Sequence, residues 1–417
     1  MIRFSKLFTK TLREAPADES AINAQYLLRA GFVYKNSAGI YSYLPLGWRV
    51  IKKIMQIVRE EMDAIGGQEI LMPTLIDKKY MEPTGRWNLD VGFFARGLED
   101  KEANFVLGWS HEEVLTAIAS KYISSYKDLP FAAYQIQTKF RNEPRAKSGL
   151  LRGREFMMKD LYSFHTSDED LESYYEKAKE AYFKVFERCG LKAIYTLAGG
   201  GMFTENFTHE FQVVSEVGED TIFVCSKCEY AENKEISKLK DGDGCPKCGG
   251  EITDKKSIEV GNIFKYGSKY SEKLALDYTD EKGTKHHVVS GAYGIGISRL
   301  MATIVEVFHD DKGIIWPKSA TPFDIHLINL LDSDKEGKEL CRKLEKSLPD
   351  IEIIFDDRED KTAGEKFADA DLIGIPMRLV ISKQTQEKDS VEVKLRSGGE
   401  SELVPRSQLS QYLKDQL

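Results

Sequence analysis

Residues 137–160, QTKFRNEPRAKSGLLRGREFMMKD, gather cationic side chains in a chain whose net charge is −8. Basic residues outnumber acids there by seven to three: Lys139, Arg141, Arg145, Lys147, Arg152, Arg154 and Lys159 against Glu143, Glu155 and Asp160. Arg141 and Glu143 are two residues apart, so they share one face of a strand. Because a planar guanidinium binds phosphate through two N–H groups, the pattern predicts a nucleotide site. Arg141 and Arg152 would bind phosphates, Phe156 would stack on a base, and Glu143 would accept from an adenine amino group. A solvated charged hairpin is the alternative.

A second candidate site lies in SGAYGIGISRLMATIVEVF, residues 290–308, where Gly294 and Gly296 precede Arg299. A dinucleotide-binding loop would need a third glycine at the position of Arg299, so that fingerprint is incomplete. We therefore expect a glycine-lined junction between a strand and a helix, at which the backbone approaches a ligand and Arg299 points at a phosphate.

Four of the six cysteines form two CxxC pairs, Cys225 with Cys228 and Cys245 with Cys248. Their spacing fits a four-cysteine zinc site, and four thiolates suit tetrahedral Zn²⁺. Such a zinc would be structural, because protein ligands would fill every position. The alternative is four cysteines that bind no metal. Without a secretory signal, paired CxxC units also indicate a reducing compartment, and we expect a cytoplasmic protein.

The chain has 417 residues, too many for one core, so two or three domains are expected. No apolar run reaches the roughly 18 to 20 residues that span a membrane, and no membrane partner is expected. The acidic composition argues against a protein that coats nucleic acid over its whole surface. For the N-terminal MIRFSKLFTKTLREAP we favour a short amphipathic helix, with Phe4, Leu7, Phe8 and Leu12 on one face, over a transit peptide.

Periodicity predicts the elements that must position these side chains. AAYQIQTKFRNE and REFMMKDLYSFH alternate as strands joined by the cationic loop, so an antiparallel pair is expected. Helical spacing is expected at 47–65, 111–126 and 168–189, with QEILMP as a short strand. After a boundary at 316–324, strands alternate with helices at about 334–347, 363–372 and 405–416, which predicts a small α/β domain.

Three segments, REEMDAIGGQEILMP, TKFRNE…REF and GAYGIGISR, resemble motifs 1, 2 and 3 of the class II aminoacyl-tRNA synthetases, in that order. Others resemble the bacterial-type prolyl-tRNA synthetases, among them LREAPADE, GRW, FVLGWSHEEV, THEFQV, IEVGNIFKYGSKYSE and DDREDKTAGEKFADADLIGIP. The resemblance covers nearly the whole chain. It implies an α+β fold with a class II antiparallel-sheet catalytic domain (1–224 and 258–320), a small four-cysteine zinc-ribbon-like insertion (225–257) and an α/β anticodon-binding domain (321–417).

The resemblance also implies the ligands: ATP, Mg²⁺, proline, tRNA(Pro) and a second copy of the chain, bound through motif 1. Arg141 would contact the ATP α-phosphate and the proline carboxylate, and Arg141 and Arg299 would be the catalytic cations. Arg152 and Arg299 would bind the outer phosphates, while Glu143 would meet the adenine amino group and Phe156 the ring. Arg145 would meet the tRNA acceptor end. No residue is assigned to Mg²⁺.

For the proline pocket, the resemblance implies Ser110 and Glu112 in GWSHEEV, with Glu112 accepting hydrogen bonds from the secondary ammonium. Ser110 and Trp109 stand where the family usually has threonine and proline, and Trp109 would alter the entry angle of the loop. A second interpretation, compatible with the first, makes Ser110 a helix N-cap and Glu113 the partner in a capping box.

His209, Met158 and Phe164 are further candidates for the pocket wall, with a structural role or core packing as the alternative for each. The loop LAGGGMFTENFTHEF departs from the family, because Met202, Phe203 and Phe207 stand in a normally smaller loop.

Bacterial-type members commonly carry a large editing domain between motifs 2 and 3, which hydrolyses alanyl-tRNA(Pro). Residues 225–257 are too few to form it. A pocket for proline cannot exclude alanine by size, and a missing methylene gives only ~1 to 3 kcal/mol of discrimination. We expect no editing in cis, and the sequence leaves open whether a separate protein edits in trans.

In the anticodon-binding domain, the candidates for tRNA binding are Arg358, Lys361, Lys366 and Phe367. Residues 321–417 contain 15 basic and 21 acidic residues, so placed groups that read splayed bases are expected rather than broad electrostatic capture. The alternative for each residue is a solvent-exposed position at the start of a helix, with no role in tRNA binding.

Two rival functions remain open. A threonyl-type synthetase would carry a metal-binding Cys and His in the pocket, and that signature is absent from this sequence. A catalytically silent paralogue that binds tRNA is disfavoured by the retained motif 2 and motif 3 residues. The residues Trp109 and Ser110 and the altered glycine loop keep it open.

Overall fold

The computed structural model describes residues 1–17, 19–146, 148–201 and 203–416. Lys147 and Met202, both named above, lie outside the described residues. The chain forms two compact units. The larger unit consists of Ser37–Ile40 and Ile54–Thr303, and the smaller unit of Met1–Asn36, Tyr41–Lys53 and Ile304–Leu417. Within the described residues, no helix combines the length and the apolar character needed to cross a membrane.

The helices are α1 (Ile22–Arg29), α2 (Pro45–Ala64), α3 (Lys78–Met81), α4 (Glu112–Ala119), α5 (Asp168–Arg188), α6 (Lys269–Leu274), α7 (Ile297–Val307), α8 (Lys335–Ser347), α9 (Ala363–Ile373), α10 (Lys383–Glu387) and α11 (Leu409–Gln416). The strands of the first half are β1 (Ile2–Arg3), β2 (Val33–Ser37), β3 (Ile40–Tyr43), β4 (Gly67–Glu69), β5 (Leu75–Asp77), β6 (Phe94–Ala95), β7 (Phe105–Leu107), β8 (Phe131–Phe140), β9 (Glu155–His165), β10 (Ala193–Ala198) and β11 (Thr208–Val214). Those of the second half are β12 (Asp220–Cys225), β13 (Ala231–Asn233), β14 (Ile252–Gly267), β15 (Asp277–Thr279), β16 (Lys285–His287), β17 (Val289–Gly296), β18 (Ile325–Asn329), β19 (Ile353–Asp356), β20 (Met377–Ile381), β21 (Ser390–Leu395) and β22 (Glu402–Pro405).

The larger unit is built on a mainly antiparallel sheet with the strand order β11-β10-β13-β12-β14-β17-β9-β8-β4. β8 and β9 form the predicted antiparallel pair, in register from Phe131 opposite Phe164 to Phe140 opposite Glu155. β17 pairs with β9 on its other side and brings Gly296 opposite Met158. The sheet therefore places the two candidate segments, 137–160 and 290–299, side by side.

Helix α5 packs on β9, β14 and β17 and supports this part of the sheet. The Ser167 hydroxyl caps its first turn by accepting from the Asp170 N–H, and three acids there favour the positive end of the helix dipole. Its buried side chains recur at helical spacing and form one apolar face: Leu171, Tyr175, Ala178, Ala181, Tyr182, Val185 and Phe186. This helix confirms the prediction for 168–189.

The smaller unit contains a sheet with the strand order β1-β19-β18-β20-β21-β22. β18 is parallel to both β19 and β20, while β21 and β22 are antiparallel additions at one edge. Apolar side chains from the strands and from α8 and α11 form the core of this sheet's buried face. The α/β prediction for the C-terminal part of the chain is therefore confirmed.

The prediction of an N-terminal amphipathic helix is wrong. Ile2 and Arg3 instead form β1, which lies parallel to β19 with Ile2 opposite Ile354. Phe4 is buried and stacks on His326, whereas Phe8 is 77% and Leu12 51% exposed, so these side chains do not share a buried face. Backbone pairing with a sheet edge overrides the weak helical spacing. The smaller unit accordingly includes the N-terminal segment and begins again at Ile304, ahead of the expected boundary at 320.

Candidate active site

A cleft of about 340 Å³ opens in the larger unit over β8, β9, β14 and β17. Arg141, Arg152 and Arg299 all line it, although 158 residues separate the first from the last. The other candidate residues on its lining are Ser110, Glu112, Glu143, Phe156 and Met158. The tertiary structure thus brings cations and carboxylates that are distant in sequence, together with the Phe156 ring, into a single cavity.

Arg141 is the cation in the cleft with an incompletely satisfied guanidinium. Its guanidinium carbon lies 5.2 Å from the centroid of the Phe156 ring, and its buried Nε has no hydrogen-bond partner among the described residues. Burial, and then the charge of Arg299, lower the pKa of Arg141. An anion in the cleft would relieve both effects, because it supplies an acceptor and an opposite charge.

Arg299 and Arg152 are held in place by acids and carbonyls. Arg299 donates to the Leu151 carbonyl (2.8 Å) and to Glu259 through its carbonyl (2.9 Å) and Oε2 (3.1 Å). Arg152 is 44% exposed and pairs with Glu219 at 2.9 Å. Arg152 also approaches Glu143 at 3.6 Å, so both arginines are paired with acids, and Arg152 is the more exposed of the two.

Gly294 explains how the strand-to-helix junction contributes to the cleft. A Cβ at Gly294 would come within 2.8 Å of the methyl carbon of Met158. β17 ends at Gly296 and α7 starts at Ile297, so Arg299 extends from the first turn of that helix. The expected glycine-lined junction is present, and the absence of a side chain there leaves room for Met158 on the lining of the cleft.

Glu112 also lines the cleft and is surrounded by donors. Its carboxylate accepts from Arg86 Nη1 (2.9 Å), from the Tyr266 hydroxyl (3.0 Å) and from Ser110 Oγ. Burial raises the pKa of Glu112, but Arg86 and these hydrogen bonds outweigh it and lower the pKa to about 2. The lining of the cleft thus includes a carboxylate that is ionised at neutral pH.

The capping interpretation of Ser110 and Glu113 is wrong. α4 starts after His111, and no side chain caps it. Ser110 donates to Glu112, while Glu113 accepts from the Thr84 hydroxyl (2.7 Å) and from Arg86 Nη1 (2.9 Å). Both side chains therefore belong to a polar cluster rather than to the helix terminus.

Arg86 is the residue that sequence reasoning missed. It is 6% exposed, bridges Glu112 and Glu113, and its guanidinium carbon stacks 4.0 Å from the centroid of the Trp109 ring. Trp109 itself is 1% exposed, so it serves as a packing platform beside Ser110. The only sequence signal was the segment GRW, which carried no information about the distance to Glu112.

Part of the cationic segment supports the site without facing a ligand. Lys139 is fully buried, pairs with Asp160 (2.9 Å) and donates to Nδ1 of His111 (2.7 Å). Burial lowers its pKa, and burial together with Lys139 lowers the pKa of His111 to about 4. Lys159 is also fully buried and donates to the Tyr182 hydroxyl (2.6 Å). The solvated-hairpin alternative therefore fails for these two lysines.

Three sequence candidates lie away from the surfaces expected for them. Phe164 is 2% exposed and stacks on Phe131 in a hydrophobic cluster, outside the cleft. His209 stacks on Tyr195 and bonds to the Tyr175 hydroxyl (2.9 Å), also outside the cleft. Lys366 is 4% exposed and donates to the Asn329 carbonyl (2.6 Å), which satisfies its charge within the smaller unit.

The remaining tRNA candidates are differently placed. Arg145 is exposed in the loop between β8 and β9. In the smaller unit, Arg358 forms ion pairs with Asp356 (2.7 Å) and Asp369 (2.8 Å), and Lys361 pairs with Glu365 (3.1 Å) at the start of α9. The side chains of Arg145 and Lys361 are more exposed to solvent than that of Arg358.

Two carboxylates suit a divalent cation in the cleft. Glu210 and Glu259 both line it, and burial, followed by the charge of Glu259, raises the pKa of Glu210 to about 8. A bound cation would relieve that repulsion. Mg²⁺ is commonly held by one or two carboxylates together with substrate phosphates, so the residues present fit it.

The four paired cysteines form a compact cluster in the larger unit. Their sulfurs lie within 4.8 Å of one another, with 3.5 Å between Cys225 and Cys248 and 3.8 Å between Cys228 and Cys245. A tetrahedral zinc with Zn–S bonds of ~2.3 Å separates its sulfurs by roughly 3.8 Å. The Lys227 N–H donates to Cys225 Sγ and helps lower the pKa of that thiol to about 6. The geometry fits zinc.

Two family models match the chain. One, described as tRNA synthetase class II core domain (G, H, P, S and T), covers residues 94–308, and one described as anticodon binding domain covers residues 324–416. Curated proteins named proline–tRNA ligase are similar over almost their whole length. The relative from Dehalococcoides mccartyi (strain BAV1) is 35% identical over 97% of both chains, and that from Wolbachia sp. subsp. Drosophila simulans is 40% identical over 96% of both.

The two alignments differ in length. The first runs over 553 residues, more than the 417 of this chain, so the Dehalococcoides relative contains residues that have no counterpart here. The second runs over 411 residues. Among solved structures, a prolyl-tRNA synthetase from Cryptosporidium parvum complexed with L-proline and AMP superposes with a TM-score of 0.77 over 94% of this chain and 75% of that one. At 17% identity this similarity concerns the fold alone.

Proposed function

The chain belongs to the proline–tRNA ligase family of class II aminoacyl-tRNA synthetases, and from that premise we propose how its cleft carries out the reaction. Proline is activated by ATP to prolyl-adenylate with release of pyrophosphate, and the prolyl group is then esterified to the 3′ end of tRNA(Pro). The observation that carries this proposal is the convergence of Arg141, Arg152 and Arg299 with Glu112 in one cavity.

Arg141 binds the ATP α-phosphate and the proline carboxylate at once. The attacking carboxylate oxygen forms a bond to the α-phosphorus while the bond to the bridging oxygen of pyrophosphate breaks. Negative charge develops on the non-bridging oxygens, where a guanidinium placed in advance stabilises it. The unpartnered Nε and depressed pKa of Arg141 support this role, because an anion satisfies both.

The other nucleotide contacts follow from the lining of the cleft. Arg152 and Arg299 bind the outer phosphates, Phe156 stacks on adenine, and Glu143 accepts from the adenine amino group. Bound Mg²⁺ supplies charge neutralisation at the phosphates, and Glu210 and Glu259 would hold it. Arg299 keeps its hydrogen bond from Nη1 to Glu259. Glu259 would therefore contact both Mg²⁺ and the arginine that binds the outer phosphates.

Glu112 accepts the two N–H groups of the prolyl ammonium. Its lowered pKa keeps it ionised at neutral pH, so the ammonium meets a full negative charge. Ser110 orients the carboxylate through their hydrogen bond, and Met158 forms an apolar wall. Phe164 and His209 act on the fold rather than on proline, since neither lines the cleft.

The tRNA contacts lie at two places. Arg145, exposed on the loop between β8 and β9, meets the acceptor end. In the smaller unit, Arg358 and Lys361 are the contacts proposed for the anticodon. To contact RNA, Arg358 would exchange an ion pair with Asp356 or Asp369 for a contact with the anticodon.

We further propose that this chain does not edit alanyl-tRNA(Pro) in cis. The segment that runs from Cys225, the last residue of β12, to the start of β14 holds the cysteine cluster and is too short for an editing domain. The difference in length between the two alignments supports the same conclusion. The four cysteines hold a structural Zn²⁺ instead.

The chain is proposed to dimerise through motif 1. Large apolar side chains are exposed in and after it, on a small sheet of β5, β7 and β6 and its loops: Leu71 (78%), Leu75 (51%), Phe94 (47%) and Leu98 (100%). Covering such side chains on association with a second copy would remove apolar surface from water.

Proline-dependent ATP–pyrophosphate exchange tests the proposed function. Exchange that requires proline and ignores threonine supports the assignment. Threonine-dependent exchange would instead favour a threonyl-type enzyme, and no exchange with any amino acid would favour a tRNA-binding protein without catalysis.

A further inference from the structure

The segment between the two CxxC pairs reaches the substrate cleft. Glu235, which belongs to it, lines the cleft beside Gly199, Gly200 and Gly201. Glu235 Oε1 accepts a hydrogen bond from the Gly199 N–H at 2.8 Å. We call residues 225–257, which contain the four cysteines, the cysteine module. Glu235 of this module therefore holds the backbone of the loop that begins at Gly199.

Asn233 ties Glu235 to the sheet. It is 6% exposed, its Oδ1 accepts from the Glu235 N–H (3.1 Å), and its Nδ2 donates to Glu210 Oε2 (3.0 Å). Asn233 ends β13, which pairs with β12, and β12 ends at Cys225. The neighbouring residue Glu232 pairs with Leu197, two positions before Gly199. The cysteine cluster and the loop are thus attached to the same short strand.

The loop itself, residues 199–201 and 203–207, is here named the glycine loop. Its turn is tight, because a Cβ on Gly200 would meet the Thr204 carbonyl oxygen at 2.3 Å. Phe203 extends from it into the cleft, with its ring centroid 6.2 Å from that of Trp109. Trp109 stacks on Arg86, which binds Glu112. The position of Gly199 therefore affects Phe203 and, through Trp109, the part of the cleft lined by Glu112.

We propose that Glu235 is a positioning residue for the amino-acid subsite: by accepting from the Gly199 N–H it holds the glycine loop, and with it Phe203, in the conformation that binds the amino acid. The cysteine module thereby contributes to substrate affinity as well as to local folding. This inference rests on the proposed function, since the amino acid concerned is the substrate proposed above.

The test compares Glu235→Ala with Glu235→Gln. Alanine removes the acceptor, whereas the glutamine carbonyl oxygen can still accept from Gly199. Loss of one hydrogen bond predicts a rise of about fivefold in the proline KM for Glu235→Ala, with kcat and the ATP KM within about twofold of wild type. Calorimetric titration with proline in the absence of ATP should show the same rise in Kd. Glu235→Gln should restore proline binding to near the wild-type value.

Glu251→Gln is the matched control, because Glu251 is an exposed acid of the same module that does not line the cleft. Zinc content and thermal unfolding, measured for every variant, should match wild type. The inference is overturned if Glu235→Ala binds proline as Glu251→Gln does, or if Glu235→Gln is as impaired as Glu235→Ala. Failure of the proposed function looks different, since wild type itself would then show no proline-dependent exchange.

Discussion

The guanidinium carbon of Arg86 lies 4.0 Å from the centroid of the Trp109 ring, and the same guanidinium bonds to Glu112 and Glu113. A buried cation with an aromatic face on one side and two carboxylates on another holds Glu112, the acid proposed to bind the prolyl ammonium, in place. Trp109 supplies the stacking surface for this cation.

Arg86→Ala leaves Glu112 and Glu113 buried without their cation. Breaking a buried pair in this way lowers the free energy of unfolding by about 3 to 5 kcal/mol, which urea denaturation will measure. Arg86→Lys keeps the charge and loses the planar fork and the stack, so a smaller loss of stability and a proline KM raised about tenfold are expected. An Arg86→Ala protein as stable as wild type would contradict this account of the cluster.

Arg141→Ala removes the cation proposed for the α-phosphate. Exchange should fall by about 100- to 1000-fold in kcat, the usual effect of losing one preorganised donor. The free energy of unfolding should not fall, because burial already disfavours the charged form of Arg141. Arg145→Ala serves as the control: exchange should stay at the wild-type rate while the transfer of proline to tRNA slows. Equal loss of exchange in both variants would refute the distinction between the two arginines.

Cys228→Ser removes one of the four thiols proposed to bind zinc. The purified protein should lose bound zinc, measured by elemental analysis, and its melting temperature should drop. Cys189→Ala alters a buried cysteine outside the cluster and should keep the metal. Zinc retained in full by Cys228→Ser would show that the cluster is not the binding site.

Glu210 predicts a pH dependence of stability in the Mg²⁺-free protein. Its folded pKa of about 8 exceeds the ordinary value of 4.5, so between these pH values the folded state retains a proton that the unfolded state has released. The contribution of Glu210 is complete below about pH 4.5 and is lost as the pH rises towards 8. Glu210→Gln cannot ionise, so its free energy of unfolding should fall less over that window than that of wild type. Parallel profiles from denaturation at several pH values would contradict the shift.

Leu75→Glu combined with Phe94→Glu places charge on two exposed apolar positions of the β5-β7-β6 sheet, one on each face. Light scattering after gel filtration should show dimers for wild type and monomers for the double variant. Tyr122→Glu, at a side chain 80% exposed elsewhere in the larger unit, should remain dimeric. A wild-type protein that is monomeric in this measurement would contradict the proposed dimer.

The sequence by itself determined the local features of the protein. Alternation in 131–140 and 155–165 set the strand pair, because side chains on successive residues of a strand point to opposite faces. The cysteine spacing set the cluster, since two CxxC turns bring four sulfurs to one point. The strand and helix alternation after residue 324 set the α/β domain in the same way.

Only the tertiary structure decided which side chains face the cleft. Lys139 and Arg141 are two positions apart and similar in charge, yet Lys139, in β8, is fully buried against Asp160. Arg141 lies just after β8 ends at Phe140, rather than on the strand as expected, and lines the cavity. Phe164 looked like a pocket wall, but Phe131 on the paired strand covers it. Arg86 reaches Glu112 across 26 positions through contacts between separate elements. Local periodicity sets the face of an element on which a residue lies. What covers that face depends on neighbours distant in the chain, which only the folded packing supplies.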